Sequence, residues 1–271
     1  MEPVPTSLHL GPLTFHLYGF GLALAVLLAY SYAGRRLRRA GLDDARWGRF
    51  AVAVLVASLV GARVAHVATN WSIYAGHPTQ WLALWNGGLS SFGALATAVP
   101  VGLLLRRRWW PDTTLARFAD AVVPALVAGW AVGRVLGPQF MYQGGGHLTH
   151  QWFGMRYAGQ AGRRVPVPLI QGLEDGTLWL ALLGLQRRLR DRVLGLVASV
   201  AMVVWGLVRA FDERWLLGQH SHSGSVGVQL AGIALAAAGV VCGIVAARRA
   251  SRAGQPSGSK RAVKWRRAGG S

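Results

Sequence analysis

Three arginines, Arg63, Arg134 and Arg209, fall inside otherwise apolar runs of the chain. A charge within a membrane span costs roughly 2.5–3.5 kcal/mol on insertion scales, so it is normally turned inward toward a partner. The planar guanidinium can hold a phosphate through two parallel hydrogen bonds. Three such groups at one depth are expected to line a polar cavity suited to the phosphate of an anionic lipid. The competing expectation is that they pair with Asp120, Asp212 or Glu213 and lock helices together; singly the two readings balance, and the three together favour the cavity.

Arg209 and Glu213 stand four residues apart on one helical face, where cation and carboxylate can pair. His66 lies one turn beyond Arg63 and has the chemistry of a base near neutral pH, although a satisfied interfacial histidine fits the position better. Glu174 and Asp175, close to Gln171, are explained by an interhelical polar contact as well as by chemistry. Arg134 has no acid three or four residues away, so it calls for a carboxylate on another helix or a bound phosphate.

The remaining polar signals are weaker. His147 and His150 follow the glycines 144–146, and His220 and His222 stand further on; neither pair has a third ligand nearby, so no metal site and no cofactor is expected. Glycine-rich loops can cradle phosphate, but the lysine of a nucleotide-binding loop is missing. Gly146 is retained as a position of close approach. The single cysteine, Cys242, sits in an apolar run and is expected to pack in the core.

These side chains must be positioned by membrane helices. Of the 271 residues, 52% are hydrophobic and 14% charged, where a soluble domain carries about 25% charged residues. Seven apolar runs are long enough, or nearly so, to cross a bilayer: residues 13–34, 50–68, 89–105, 118–136, 168–185, 193–211 and 226–247. The first is read as a retained span, because its basic residues follow the apolar stretch and no cleavage site is evident. The expectation is an all-α, polytopic seven-helix bundle over residues 1–247, followed by a basic, disordered tail over 248–271.

Most of the 29 basic residues fall after the first, third, fifth and seventh runs, which places those loops in the cytoplasm and the N-terminus outside. A formal charge of +19 could otherwise point to nucleic acid, but this alternation accounts for it as topology, and no nucleic-acid partner is expected. Trp71, Tyr74, Trp81 and Trp85 gather toward the outer surface as an interfacial belt would.

The order of motifs resembles prolipoprotein diacylglyceryl transferase. "LGPLTFHLYGFGLALAVLLAY" looks like that family's first span, with Tyr18 and Gly19 as its Tyr-Gly pair. "VGARVAH" carries its Gly-x-Arg at Gly61 and Arg63, and "LALWNGGLSSFGAL" its Trp-x-Gly-Gly-x-Ser element at residues 85–90. "AVGRVLG" supplies a Gly-Arg pair at Gly133 and Arg134, and "GLVRAFDER" an Arg-x-x-x-Glu element at Arg209 and Glu213. The resemblance covers roughly residues 8–247. It implies transfer of a diacylglyceryl group from phosphatidylglycerol to the lipobox cysteine of a precursor lipoprotein, in the bacterial plasma membrane. Tyr18, Arg63, Arg134 and Gly146 would then bind the lipid, and Arg134, Arg209, Glu213 and His66 would serve the chemistry.

The sequence departs from the family at groups that handle protons. Phe92-Gly93-Ala94 replaces the family's His-Gly-Gly, Pro138 falls near its Asn, and Gln143 near its Glu. The His-Pro-x-Gln-Leu-Tyr-Glu stretch reads "VPVPLIQ", and Trp205 stands where Tyr is usual. Either His66 or Glu213 has assumed the base's work, or the protein is a non-catalytic paralogue that binds anionic lipid or precursor lipoprotein as a scaffold or regulator. A transporter fits less well, since the span count is odd and the polar residues gather at one depth.

Overall fold

The computed structural model describes residues 3–10, 13–42, 45–82, 90–189, 192–214 and 222–254. Among the described residues seven long helices overlap the seven apolar runs: α1 (Leu17–Arg39), α2 (Trp47–Thr69), α4 (Ser91–Trp109), α5 (Leu115–Leu136), α6 (Val167–Leu189), α7 (Leu196–Asp212) and α8 (His222–Gly254), with a single-turn α3 (Trp71–Tyr74) between α2 and α4. Among the described residues four helical stretches are long and apolar enough to cross a membrane: Leu17–Arg39, Trp47–Thr69, Leu115–Phe140 and Val226–Arg252. The chain is a multi-pass membrane protein.

Several boundaries differ from expectation: α1, α4 and α6 run on into the basic residues after their apolar runs, and three further differences change the element itself. Residues 13–16, assigned to the first span, form strand β2 (Leu13–His16) of an antiparallel hairpin with β1 (Ser7–Leu10), and the helix begins at Leu17. The alternation in "SLHLGPLTFH", broken by Gly-Pro, is a period-two signal that apolar run length alone conceals. At the other end, α8 includes His222, which was expected in a loop, and continues through residues 248–254, which were assigned to the disordered tail. Alanines interleave with Arg248, Arg249 and Arg252 there, and basic residues in a last turn favour the helix dipole. Residues 255–271 of the tail lie outside the described residues.

Contacts group the chain into two units. The first comprises Met1–Ala33 and Leu115–Ser271. Here α7 packs most extensively on α8, and α5 packs on α6 and α7. Val127, Leu178, Leu182, Val197 and Ala201 form a buried core between α5, α6 and α7. The α7–α8 seam depends on Gly206 and Gly232: a Cβ at Gly206 would stand 2.9 Å from the Ala236 nitrogen, so the backbones approach as closely as small residues allow. Asp120 of α5 caps the start of α7, its Oδ2 accepting from Gly195 N at 2.6 Å and its Oδ1 from Ala198 N at 2.8 Å. These two bonds serve a helix N-terminus, whose N–H groups have no partner within the helix.

The second unit, Gly34–Thr114, is built on the pairing of α2 with α4. Ser90 caps α4 by accepting from Gly93 N, and Thr97 Oγ1 donates across to the Ala57 carbonyl at 2.7 Å. Trp47, Phe50, Trp109 and Trp110 form an aromatic cluster at the arginine-rich end, where Arg46 Nη1 donates to the Trp109 carbonyl at 2.6 Å.

The outward faces are apolar. Phe20 and Leu27 on α1, Val64 on α2, and Leu230 and Val241 on α8 are all more than half exposed. Cys242, expected in the core, is exposed on α8 among these residues. A helix face that meets lipid is as apolar as one that meets protein, so hydropathy cannot separate the two.

Candidate functional site

One turn of structure is repeated on two helices of the first unit. Trp130 and Arg134 on α5, and Trp205 and Arg209 on α7, each stand four residues apart, so each guanidinium lies over the indole one turn earlier. The guanidinium carbons are 5.3 Å and 5.2 Å from the ring centroids. The two indoles meet edge to face with centroids 5.8 Å apart. This contact couples the two cation-bearing helices.

Carboxyl groups from α6 and α7 face these arginines. Arg209 Nη2 lies 3.8 Å from Asp212 Oδ2, which also accepts from Gln171 Nε2 at 2.9 Å. Glu174 on α6 lies within electrostatic range of Asp212 and Arg209 on α7. Both arginines lie within electrostatic range of Asp175 and Asp212. Asp212 is 0% exposed, Asp175 2% and Gln171 2%, so the network is built inside the bundle and not at its rim. Several polar atoms of this cluster make no hydrogen bond: Arg134 Nε, Arg209 Nε, Glu174 Oε2, Asp175 Oδ2 and Asp212 Oδ1. Buried atoms of this kind carry a desolvation cost that a polar ligand can relieve.

Of the residues singled out in the sequence, Arg134 and Arg209 meet here, Tyr18 on α1 is within electrostatic range of Arg134, and Glu213 adjoins Asp212 in the chain. Glu213 is 4% exposed at the end of α7. Arg209 pairs with Asp212, one of the three acids expected as partners for the arginines, and Glu213 is the next residue in the chain. Glu174 and Asp175, for which an interhelical contact and chemistry were equal expectations, lie within electrostatic range of Arg209. Trp130, Trp205 and Asp212 escaped the sequence reading as site residues; the Trp-x-x-x-Arg spacing repeated in two spans was the available signal.

Arg63 and His66 lie on α2 of the second unit. Arg63 is 5% exposed, and its Nε and Nη2 donate to the carbonyls of Trp81 and Gln80 at 2.9 Å and 2.5 Å. It thereby pins the 3-10 turn Pro78–Leu82 to the helix. Its guanidinium and the His66 ring both contact Tyr74, at 5.3 Å and 5.8 Å between centres. Trp71 and Trp81 pack together at 5.4 Å, and Trp81 Nε1 donates to the Tyr74 carbonyl. Alongside runs an apolar groove of about 600 Å³ lined by Val56, Val60, Val64, Trp71 and Leu82, with Arg63 in its wall. Residues 85–89 of the tryptophan motif lie outside the described residues, as does the side chain of Phe92.

The loop before α6 is folded around Tyr157. That side chain is 1% exposed and donates to Gln139 Oε1 at 2.8 Å, and burial pushes its hydroxyl up to about 12. Gly146 is buried in the same loop, its N–H donating to the Val165 carbonyl at 2.9 Å. Gln143, near the position of the family's glutamate, is exposed, has φ of 58° and donates through Nε2 to the Gly159 carbonyl at 3.2 Å. His147 and His150 are exposed.

The first unit is thus a membrane helical bundle that holds a buried arginine–carboxyl network on aromatic supports. Residues 5–249 match the prolipoprotein diacylglyceryl transferase family, and the chain belongs to it. It is 38% identical over 133 residues to the phosphatidylglycerol–prolipoprotein diacylglyceryl transferase of Synechococcus elongatus, a stretch covering 49% of this chain and 45% of that relative. It is 35% identical over 136 residues to the protein so named in Frankia alni, covering 49% of this chain and 36% of the relative. For the Cutibacterium acnes protein of that name the identity is 30% over 138 residues, with 49% and 46% covered. The chain thus spans less than half the length of these curated relatives.

Proposed function

We propose that the protein transfers a diacylglyceryl group from phosphatidylglycerol to the thiol of a lipobox cysteine in a precursor lipoprotein. The observation that carries this reading is the pair of indole-supported arginines, Arg134 and Arg209, in a buried polar cluster. Sulfur attacks the terminal glyceryl carbon and the carbon–oxygen bond to phosphate breaks, so negative charge collects on the departing glycerol phosphate. Guanidinium groups placed where that charge develops lower the barrier, and in a water-poor site the effect is larger than in bulk water. The nucleophile is the substrate's own sulfur, so the enzyme needs none.

In this reading Arg134 and Arg209 neutralise the phosphate, with Glu213 orienting that end of α7 and Tyr18 contacting the headgroup beside Arg134. Arg63 holds lipid at the wall of its apolar groove, which has the shape and polarity for an acyl chain. His66 is its neighbour and an accessory base. Gly146 gives the lipid headgroup close approach to the backbone of the loop. All seven long helices cross the bacterial plasma membrane, with the N-terminus outside and the basic C-terminal tail in the cytoplasm. No nucleic acid takes part.

Expression in cells depleted of their own transferase tests the activity. Lipoprotein precursors become lipidated if the reading holds; precursors that stay unmodified while the protein inserts normally defeat it. Gln143 supports a second reading, a scaffold that binds the lipid without turnover: an exposed amide stands near the position of the family's carboxylate. Release of glycerol phosphate by the purified protein excludes the scaffold.

A further inference from the structure

We propose that Arg46, Arg49 and Arg108 form a separate anion site, at the end of α2 and α4 expected to face the cytoplasm, which holds the phosphate group of an anionic ligand. The three residues lie within the second unit, and the site is independent of the transferase reading. Together with Trp109 they line a concavity of about 480 Å³. Arg46 and Arg49 stand at the start of α2, and Arg108 in the last turn of α4. Arg46 Nη1 donates to the Trp109 carbonyl at 2.6 Å, which ties the two helix ends together and fixes one guanidinium at the rim. Behind the arginines Phe50 packs against Trp47, Trp109 and Trp110, so aromatic contacts set the spacing of the helix ends that carry them.

The concavity gathers like charges. Among the described residues none of the three arginines makes an ion pair, with Asp112 in the turn after α4 included, and neither Arg49 nor Arg108 makes a hydrogen bond. Asp43 and Asp44 lie outside the described residues. Topology asks only that cations stay on one side of the membrane, a demand met equally well by side chains spread apart in water. It does not ask that three of them converge. Arg46 and Arg49 also stand where the helix dipole is positive and acids are favoured, yet the first turn of α2 holds no acid. An anion in the concavity offsets both the mutual repulsion and the unfavourable dipole.

The donors select the anion. Each guanidinium offers a planar fork that matches two phosphate oxygens, and three forks exceed what the two oxygens of a carboxylate can satisfy. Basic pockets between membrane helices on the cytoplasmic side bind anionic headgroups. Trp109, half-buried beside the arginines, is the residue type enriched at headgroup depth. A phospholipid headgroup and free phosphate offer the same group to this site, and the experiment separates them.

The test uses the full chain in a neutral detergent, titrated with phosphatidylglycerol, phosphatidylcholine or inorganic phosphate, with amide hydrogen exchange read along the chain. Phosphatidylglycerol is expected to slow exchange in the first turn of α2, and phosphatidylcholine to leave it unchanged. Arg49→Gln/Arg108→Gln, which keeps the bond from Arg46 to Trp109, is expected to weaken this protection about 25-fold in lipid concentration, about 5-fold for each arginine near an anionic group. Arg49→Lys/Arg108→Lys keeps the charge and recovers part of the affinity. Protection by phosphatidylglycerol alone assigns the site to a lipid headgroup, and equal protection by inorganic phosphate assigns it to free phosphate; either supports the proposal. Protection by neither, or protection unchanged in Arg49→Gln/Arg108→Gln, overturns it and leaves the arginines as a topological signal. Should the glutamine variant fail to fold, the wild-type exchange pattern decides. Lipid held at Arg134 and Arg209 protects α5 and α7 instead, so the two sites are told apart in one measurement.

Discussion

At the scale of single residues, Arg134 separates the buried polar cluster from charges that only decorate a loop. Its guanidinium rests on Trp130 and its Nε makes no hydrogen bond, whereas Arg156 is exposed in the loop before α6. Arg134→Gln is expected to weaken phosphatidylglycerol binding by about 1.5–3 kcal/mol, the worth of hydrogen bonds to a charged group. Arg156→Gln should cost under about 1 kcal/mol. Calorimetric titration with short-chain phosphatidylglycerol measures both, and equal effects would place the lipid elsewhere. Tyr157 gives a second residue-scale expectation. Its pKa is raised to about 12 by burial, so the folded loop favours the neutral hydroxyl more than the unfolded chain does. The stabilisation is full below about pH 10, the ordinary tyrosine value, and is lost as pH rises toward 12. Hydrogen exchange in the loop should therefore accelerate above pH 10, and Tyr157→Phe should abolish that acceleration.

The arginines could be recognised from sequence because a charge in an apolar run is anomalous wherever it points. Their partners were less legible. Asp212 and Glu213 are adjacent, and a helical wheel places Asp212 three residues and Glu213 four residues from Arg209, both within reach. Only the packing of α6 against α7 brings Gln171 and Glu174 to Asp212, and that is not encoded in any local spacing.

At the scale of elements, helix ends and seams carry the burden. Asp120 accepts two N–H groups at the start of α7, and Asp120→Ala leaves both without it. A loss of about 1–2 kcal/mol is expected, as for other helix caps. Faster exchange of the Gly195 and Ala198 amides should accompany it; unchanged exchange would mean the cap contributes nothing. Gly206→Leu should loosen α7 from α8, because its Cβ alone would already crowd Ala236, and overpacking of this kind costs about 1–3 kcal/mol. Its check is a lowered thermal midpoint in detergent. Apolar run length located the long helices among the described residues, but it merged the β2 residues into α1 and stopped α8 short, since neither a period-two hairpin nor an alanine-rich basic turn registers as an apolar run.

At the scale of the whole molecule, the helices are apolar outside and charged within, the arrangement a protein needs when lipid is its solvent. The basic residues are grouped in alternate loops, which sets the orientation expected above. Replacing Cys242 and placing single cysteines at His150 and Arg188 should give labelling of the first, and not the second, by an impermeant thiol reagent added outside; the reverse would invert the topology. The fate of Cys242 shows the limit of hydropathy at this scale, because a lipid-facing residue and a core residue look alike until the helices are packed.

Purified protein in phosphatidylglycerol vesicles, given a peptide with a lipobox cysteine, provides the most direct measurement: glycerol phosphate released per thioether formed. The account predicts one for one, with both products lost together in Arg134→Gln and in Arg209→Gln. Tight lipid binding with neither product would contradict it.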